Sequence, residues 1–285
     1  MASFADLDDF TAADGARLAL RRETPNGAGR AALILVHGWG EHTGRYAHVA
    51  AWLAGRGMAV FALDQRGAGH TPGPRGHVTR FAQYLADIVA LRKLVQAEAP
   101  GPLLLLGHSH GGLIVLRYLE TAPGGVAGAI VTSPWLALAM QTPRWKTGLA
   151  GLLAYLTPSL QIPTGMNLDF ICTDPGVVER AKSDPWCHQV MTPRAWREVR
   201  DATRLALSER DRIAVPLFIG LPGEDRIISA PATEAFAASL RGDVTLRLYA
   251  GMFHEILNEP GQGRVFADIA PWMDRVLAGA GPEPA

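Results

Sequence analysis

Five short runs of this chain are apolar almost without interruption: residues 31–36, 58–63, 102–106, 126–131 and 215–221. Such runs suit strands covered on both faces. Residues 16–22 and 244–250 alternate apolar and polar instead, and 16–22 reads as an edge strand with one wet face. Helical spacing falls between the strands. Phe81, Tyr84, Leu85, Ile88, Leu91, Leu94 and Val95 recur at three and four within 79–98, and Pro100-Gly101 stops them. Residues 45–56, 110–120, 231–240 and 262–278 are further helical stretches. Strand and helix in alternation with short loops predict an α/β fold, a mostly parallel central sheet flanked by helices.

The alternation fails between Pro134 and Arg210. That stretch holds Trp135, Trp145, Trp186 and Trp196, four of the seven tryptophans, and both cysteines. It reads as a mainly helical cap, residues 134–210, inserted between two strands of a core made of 1–133 and 211–285. An apolar insertion at the C-terminal edge of a parallel sheet is placed to cover a binding site.

Composition narrows the class. Of 285 residues 48% are hydrophobic and 19% charged, which excludes a disordered chain. Lys plus Arg equals Asp plus Glu, 27 against 27, so net charge gives no case for nucleic acid or an anionic membrane. Cys172 and Cys187 form neither a disulfide framework nor a zinc spacing. No apolar run approaches the roughly 18 residues of a membrane span, and the first residues lack a basic and then apolar leader. The expectation is a soluble, cytoplasmic protein.

The chemistry gathers at the ends of the apolar runs. Gly107-His108-Ser109-His110-Gly111 follows a four-leucine strand and opens an apolar helix. A sharp strand-to-helix turn needs small residues beside the serine, because a Cβ there would collide with neighbouring backbone. Ser109 is therefore the candidate nucleophile. Its base must be a late histidine, and His254, four residues past 244–250, fits. The acid should follow 215–221. Asp225 is the candidate, with Glu224 as the fallback. The place after 126–131 holds Thr132-Ser133-Pro134-Trp135, with no carboxylate, and Asp64 reads as a brace for its own loop. The backbone N–H groups of His110 and of Trp39, in the loop His37-Gly38-Trp39-Gly40, are candidate oxyanion donors. The Trp39 side chain either walls a pocket or simply packs.

These segments resemble the serine α/β-hydrolase family, and more closely its monoacylglycerol lipase and lysophospholipase branch. The segment His37-Gly38-Trp39-Gly40-Glu41-His42-Thr43-Gly44-Arg45-Tyr46 is similar to that branch's H-G-x-G-E-H-S-G-R-Y pattern. Asp64 to Thr71 resembles D-x-R-G-x-G-x-S, with Thr71 for Ser. Gly107 to Gly112 resembles G-H-S-M-G-G, with His110 for Met. Gly223-Glu224-Asp225 and Phe253-His254-Glu255 match its acid and base segments. The likeness covers most of the core and thins inside the insertion, where Asp184-Pro185-Trp186 still resembles a cap motif.

The resemblance implies the α/β-hydrolase fold, a triad of Ser109, Asp225 and His254, and a cap that admits an acyl chain. It implies no cofactor and no metal. Carboxylic esters of a monoacylglycerol- or lysophospholipid-like lipid are the expected substrates. A short-chain carboxylesterase or thioesterase, a cofactor-free haloperoxidase, a C–C hydrolase or a non-catalytic binding homologue stay open on the same fold. Glu41 and Arg45 either orient the polar end of a glycerol-like substrate or form a structural ion pair. The most apolar stretch of the insertion, 149–156, is either an acyl-chain entrance that touches membrane or micelle, or a packed helix. It carries no basic face of its own.

Overall fold

The five apolar runs become five neighbouring parallel strands in the centre of one sheet. In this computed structural model, which describes residues 3–25, 27–121, 124–139 and 153–280, they are β3 (Ala31–Val36), β4 (Met58–Leu63), β5 (Leu103–His108), β6 (Gly128–Thr132) and β9 (Leu217–Pro222). Each is buried along its whole length. Successive side chains serve opposite faces. In β3, Ala32, Ile34 and Val36 join one apolar cluster and Ala31, Leu33 and Leu35 join the other. The first cluster is completed by α2 (Ala82–Glu98), α3 (His110–Thr121) and α6 (Ala230–Ser239), the second by α1 (Ala47–Ala54) and α7 (Gln262–Gly279).

The eight-stranded sheet runs β1-β2-β4-β3-β5-β6-β9-β10, with β1 at Asp8–Thr11, β2 at Arg17–Glu23 and β10 at Val244–Tyr249. Only β2 runs against the others, pairing antiparallel with β1 on one side and β4 on the other. The alternation in 16–22 pointed to an edge strand, yet β1 covers its outer side and Leu18, Ala19, Leu20 and Arg21 are all buried. Strand β1 joins through backbone pairing and offers a single buried apolar side chain, Phe10, so its pattern gave no signal. Buried Arg21 gives Nη1–H bonds to the carbonyls of Phe4 and Ala5, each at 2.9 Å, which offset part of its burial.

Between β6 and β9 lie a two-residue ladder of β7 (Ile162–Pro163) and β8 (Val190–Met191), helix α4 (Pro175–Ser183) and helix α5 (Pro193–Glu209). The last is 17 residues long. Pro193 opens it at a position where its missing N–H costs nothing, and the Thr192 hydroxyl caps it at Ala195 N–H. It buries Ala195, Val199, Ala202 and Ala206 in the same apolar cluster as α3. Of the apolar stretch 149–156, residues 149–152 lie outside the described residues.

Every parallel strand ends on one side of the sheet, and the loops there carry the candidate residues. The turn from β5 to α3 depends on close approach. A Cβ on Gly111 would lie 2.1 Å from the Val36 carbonyl oxygen, and one on Gly107 would lie 2.4 Å from that of Gly111. No flexible side chain is in the way to yield, only backbone. Gly111→Ala should therefore cost about 3 kcal/mol of stability, read from urea unfolding midpoints at unchanged slope.

Candidate active site

Ser109 sits at the β5–α3 turn with φ 52°, in the left-handed region that a side chain rarely adopts. Its N–H donates to the Thr132 carbonyl of β6 at 2.9 Å, which holds the turn against the next strand. Both Ser109 and His254 line a cavity of about 770 Å³. His254 Nδ1 lies 2.8 Å from Asp225 Oδ2. Asp225 Oδ1 meanwhile accepts the N–H groups of Ile227 and Ile228 at 2.8 and 2.9 Å. The carboxylate is thus an acceptor on both oxygens, so Nδ1 carries the imidazole proton and Nε2 is left with its lone pair. Exposed Glu224 does not take this place.

Burial works against a charged His254, but the Asp225 carboxylate outweighs it and raises the histidine's pKa. Burial likewise disfavours the Asp225 carboxylate, while the charge of His254 and the two N–H bonds hold its pKa below the usual carboxylate range. The loop that carries His254 is pinned at three points. Ser133 Oγ–H donates to the His254 carbonyl at 2.7 Å, Phe253 N–H to Glu259 at 2.8 Å, and Glu255 N–H to the Ile171 carbonyl at 2.8 Å. Ser133 is itself buried with φ 46°.

The loop after β3 is held from beneath. Gln65 gives its side-chain N–H to the His37 carbonyl and its backbone N–H to His37 Nε2 at 2.9 Å. Nε2 is therefore the acceptor, and His37 Nδ1–H donates to the Gly38 carbonyl at 2.8 Å. The Gln65 carbonyl oxygen takes His110 Nδ1–H at 3.0 Å. One amide side chain thus links the first residue of α3 to the loop that carries Trp39. Neither the Trp39 nor the His110 backbone N–H has an acceptor among the described residues. His110 is fully enclosed among Trp39, Phe81, Tyr84 and Trp135, and burial, then His37, lowers its pKa to about 3.

Glu41 and Arg45 turn out to serve each other. Glu41 accepts the Gly38 N–H, the Tyr46 hydroxyl at 2.6 Å and Arg45 Nη1 at 2.6 Å. Arg45 also gives two parallel bonds of 2.7 Å to Glu255. Both carboxylates that line the cavity among its described residues are therefore neutralised by one guanidinium. The Trp39 ring both walls the cavity and packs. Its Nε1–H donates to the Val190 carbonyl at 3.1 Å, and the ring meets His110 edge-on at 5.0 Å.

The cap motif found in the sequence bears on these loops. Asp184 lies 2.9 Å from His42 Nε2, and Trp186 stacks on His70 at 4.0 Å. His188 N–H donates to the Gly40 carbonyl at 2.8 Å. Asp64 braces its loop as expected, accepting Thr43 N–H and His70 N–H at 2.8 Å each.

His42, Asp184 and Cys187 could share an ion, as could His42, Asp64 and His70. However, His42 Nδ1 accepts Gly44 N–H, so the ring's proton lies on Nε2 and goes to Asp184. The ligand atoms are thus already spent on the loops. Cys172 and Cys187 are free, with burial raising their thiols to about 11 and 12. Neither is a thiolate near neutrality.

Gln65, Ser133 and Glu255 escaped the sequence reading. The only signal for Ser133 was its place after β6, where a carboxylate was sought. Glu255 entered only as part of the Phe253-His254-Glu255 likeness, with no role of its own.

Comparison with known proteins bears on the same segments. Residues 27–261 match the family described as serine aminopeptidase, S33. A monoacylglycerol lipase of Mycolicibacterium smegmatis is 29% identical over 93% of this chain and 95% of its own length. The monoglyceride lipase of Homo sapiens is 31% identical over 98% of this chain and 93% of its own. A solved structure, the monoacylglycerol lipase of Paleococcus ferrophilus, superposes with a TM-score of 0.82 at 30% identity, covering 92% of this chain and 98% of that one.

Two variants probe the arrangement. Asp225→Asn should lower kcat by about four orders of magnitude. Because the carboxylate raises the His254 pKa, the acidic limb of the residual kcat/KM profile should move to lower pH. Gln65→Ala should lower kcat roughly ten- to a hundredfold with KM little changed, because it frees a transition-state donor rather than a substrate contact.

Proposed function

This chain belongs to the serine aminopeptidase S33 family and has the α/β-hydrolase fold, and from that premise we propose that it hydrolyses monoacylglycerol- or lysophospholipid-like esters through an acyl-enzyme. The observation that carries this reading is the apolar cavity. Leu138, Met166, Leu168, Phe170, Ile227 and Ile228 line one continuous space with Ser109 and His254. At about 770 Å³ the space suits an acyl chain and its head. A peptide N-terminus would bring an ammonium group, and the cavity-lining carboxylates Glu41 and Glu255 are both occupied by Arg45.

In this reading Ser109 Oγ attacks the ester carbonyl as His254 Nε2 takes its proton. Asp225 keeps the ring in the required tautomer and stabilises the imidazolium without taking the proton. Negative charge on the carbonyl oxygen falls to the Trp39 and His110 N–H groups, which gain most in the transition state. His254 then protonates the departing alcohol. Water, activated by the same nitrogen, releases the fatty acid and restores Ser109.

Residues 134–210 serve as the cap, since its side chains supply much of the apolar lining. Glu41 and Arg45 brace the oxyanion loop rather than bind substrate. The cap also touches the lipid phase, through Tyr155, Leu156 and Leu160, which are exposed although apolar. No helix among the described residues is long and apolar enough to cross a membrane. Two unpaired thiols suit the reducing cytoplasm.

Initial rates on short and long p-nitrophenyl esters, a monoacylglycerol and a lysophosphatidylcholine test this. The expected result is preference for the long-chain glyceride or lysolipid, with Ser109→Ala inactive on all and still folded. Activity confined to short esters would make it a general esterase, and full activity in Ser109→Ala would remove the assignment of the nucleophile.

A further inference from the structure

The whole-chain charge balance of 27 against 27 conceals one lopsided surface. Helix α5 turns Ala195, Val199, Ala202 and Ala206 inward. At 3.6 residues per turn, Arg194, Arg197, Arg200 and Arg204 then fall together on the opposite side, within roughly a third of the circumference. Their carboxylate partners are few. Asp201 is shared by Arg197 at 3.8 Å, Arg200 at 2.8 Å and Arg204 at 3.4 Å, and Glu198 faces Arg194 at 3.7 Å. Four guanidinium groups against two carboxylates leave this face positive.

A second, independent feature adjoins it. Tyr155 and Leu156 are each 67% exposed and Leu160 is 50% exposed. Ile162 is exposed too, and it lines the cavity. The Arg197 guanidinium lies 4.6 Å over the Tyr155 ring, and Arg194 N–H donates to the Pro158 carbonyl at 3.3 Å. The arginine face and the apolar ridge are therefore one surface, and the ridge leads to the cavity.

We propose that this surface docks the protein on anionic bilayers, with the arginines of α5 selecting the lipid charge. The ridge enters the acyl boundary while the guanidinium groups stay among the head groups. The basic face missing from 149–156 is thus supplied by a neighbouring helix. The proposal rests on the reading that the substrate is a lipid, which is what favours a bilayer over an acidic protein as occupant. Two excess charges against an anionic leaflet strengthen binding roughly tenfold to a hundredfold at low salt.

Sedimentation with vesicles tests it on the full chain carrying Ser109→Ala, so that binding is read without turnover. Partition onto phosphatidylcholine vesicles doped with phosphatidylglycerol should exceed that onto phosphatidylcholine alone by tenfold or more, and the gain should vanish in high salt. Arg197→Gln, Arg200→Gln and Arg204→Gln combined should abolish the gain, while in the active background they leave hydrolysis of a soluble short ester unchanged. Leu156→Asp with Leu160→Asp should weaken binding to both vesicles. Equal partition onto the two vesicle types, a gain that survives the triple variant, or capture by polyglutamate without vesicle binding would each overturn the proposal. A protein that binds as expected yet hydrolyses no ester would leave the docking intact and defeat the proposed function instead.

Discussion

The Arg45 guanidinium sits between two carboxylates that belong to different loops. Glu41 is part of the loop after β3 that bears Trp39, and Glu255 follows His254 in sequence. All three are largely buried, so each charge depends on the others for the solvation it has lost. Burial alone would lower the Arg45 pKa, but the charges of Glu255 and then Glu41 hold it far above its ordinary range. Burial also opposes the Glu41 charge, and Arg45 reverses that, bringing its pKa down to about 2. One cation therefore fixes the separation between the loop that bears Trp39 and the loop that bears His254. It could not be removed without stranding two anions at the wall of an apolar cavity.

Much of the architecture was legible because parallel strands buried on both faces cannot hide. The leucines at 103–106 divide alternately between the two apolar clusters. Strand β1 was not legible, since pairing made by backbone leaves no side-chain pattern. The candidate residues Ser109, Asp225 and His254 could be read because each occupies the end of a recognisable strand. The members that hold them could not. Gln65 acts through two ends of one amide, Ser133 through a hydroxyl on a backbone carbonyl, and Glu255 through an arginine some 210 positions away. Such contacts depend on which loops meet in space, and local spacing carries no trace of that. The arginines of α5 were visible singly. Their common face required knowing which side of the helix was buried.

The strain in the site is distributed over two serines. Ser109 and Ser133 are the described non-glycine residues with positive φ, and both stand at the C-terminal ends of adjacent strands. Each backbone N–H is tied to a neighbouring strand, Ser109 to Thr132 and Ser133 to Gly220. The sheet thus enforces conformations that isolated turns would relax. The departure of His110 from the methionine of the resembled pattern fits the same logic. Its ring donates to Gln65 and so adds a polar tie at a place where methionine could only fill space.

Gly40 is where the insertion bears on the loop that holds Trp39. Its φ is 75°, its carbonyl accepts His188 N–H, and a Cβ there would lie 2.2 Å from the His188 carbonyl oxygen. The segment from Trp186 to Val190 is therefore less a lid above the candidate groups than part of their foundation. A chain that swung this segment away to admit a ligand would at the same moment let go of the loop bearing Trp39. The neighbouring part of the insertion is tied to the same support, since β7 pairs with β8 and Thr164 N–H donates to the Gln189 carbonyl at 2.8 Å, so admission and turnover draw on one set of hydrogen bonds.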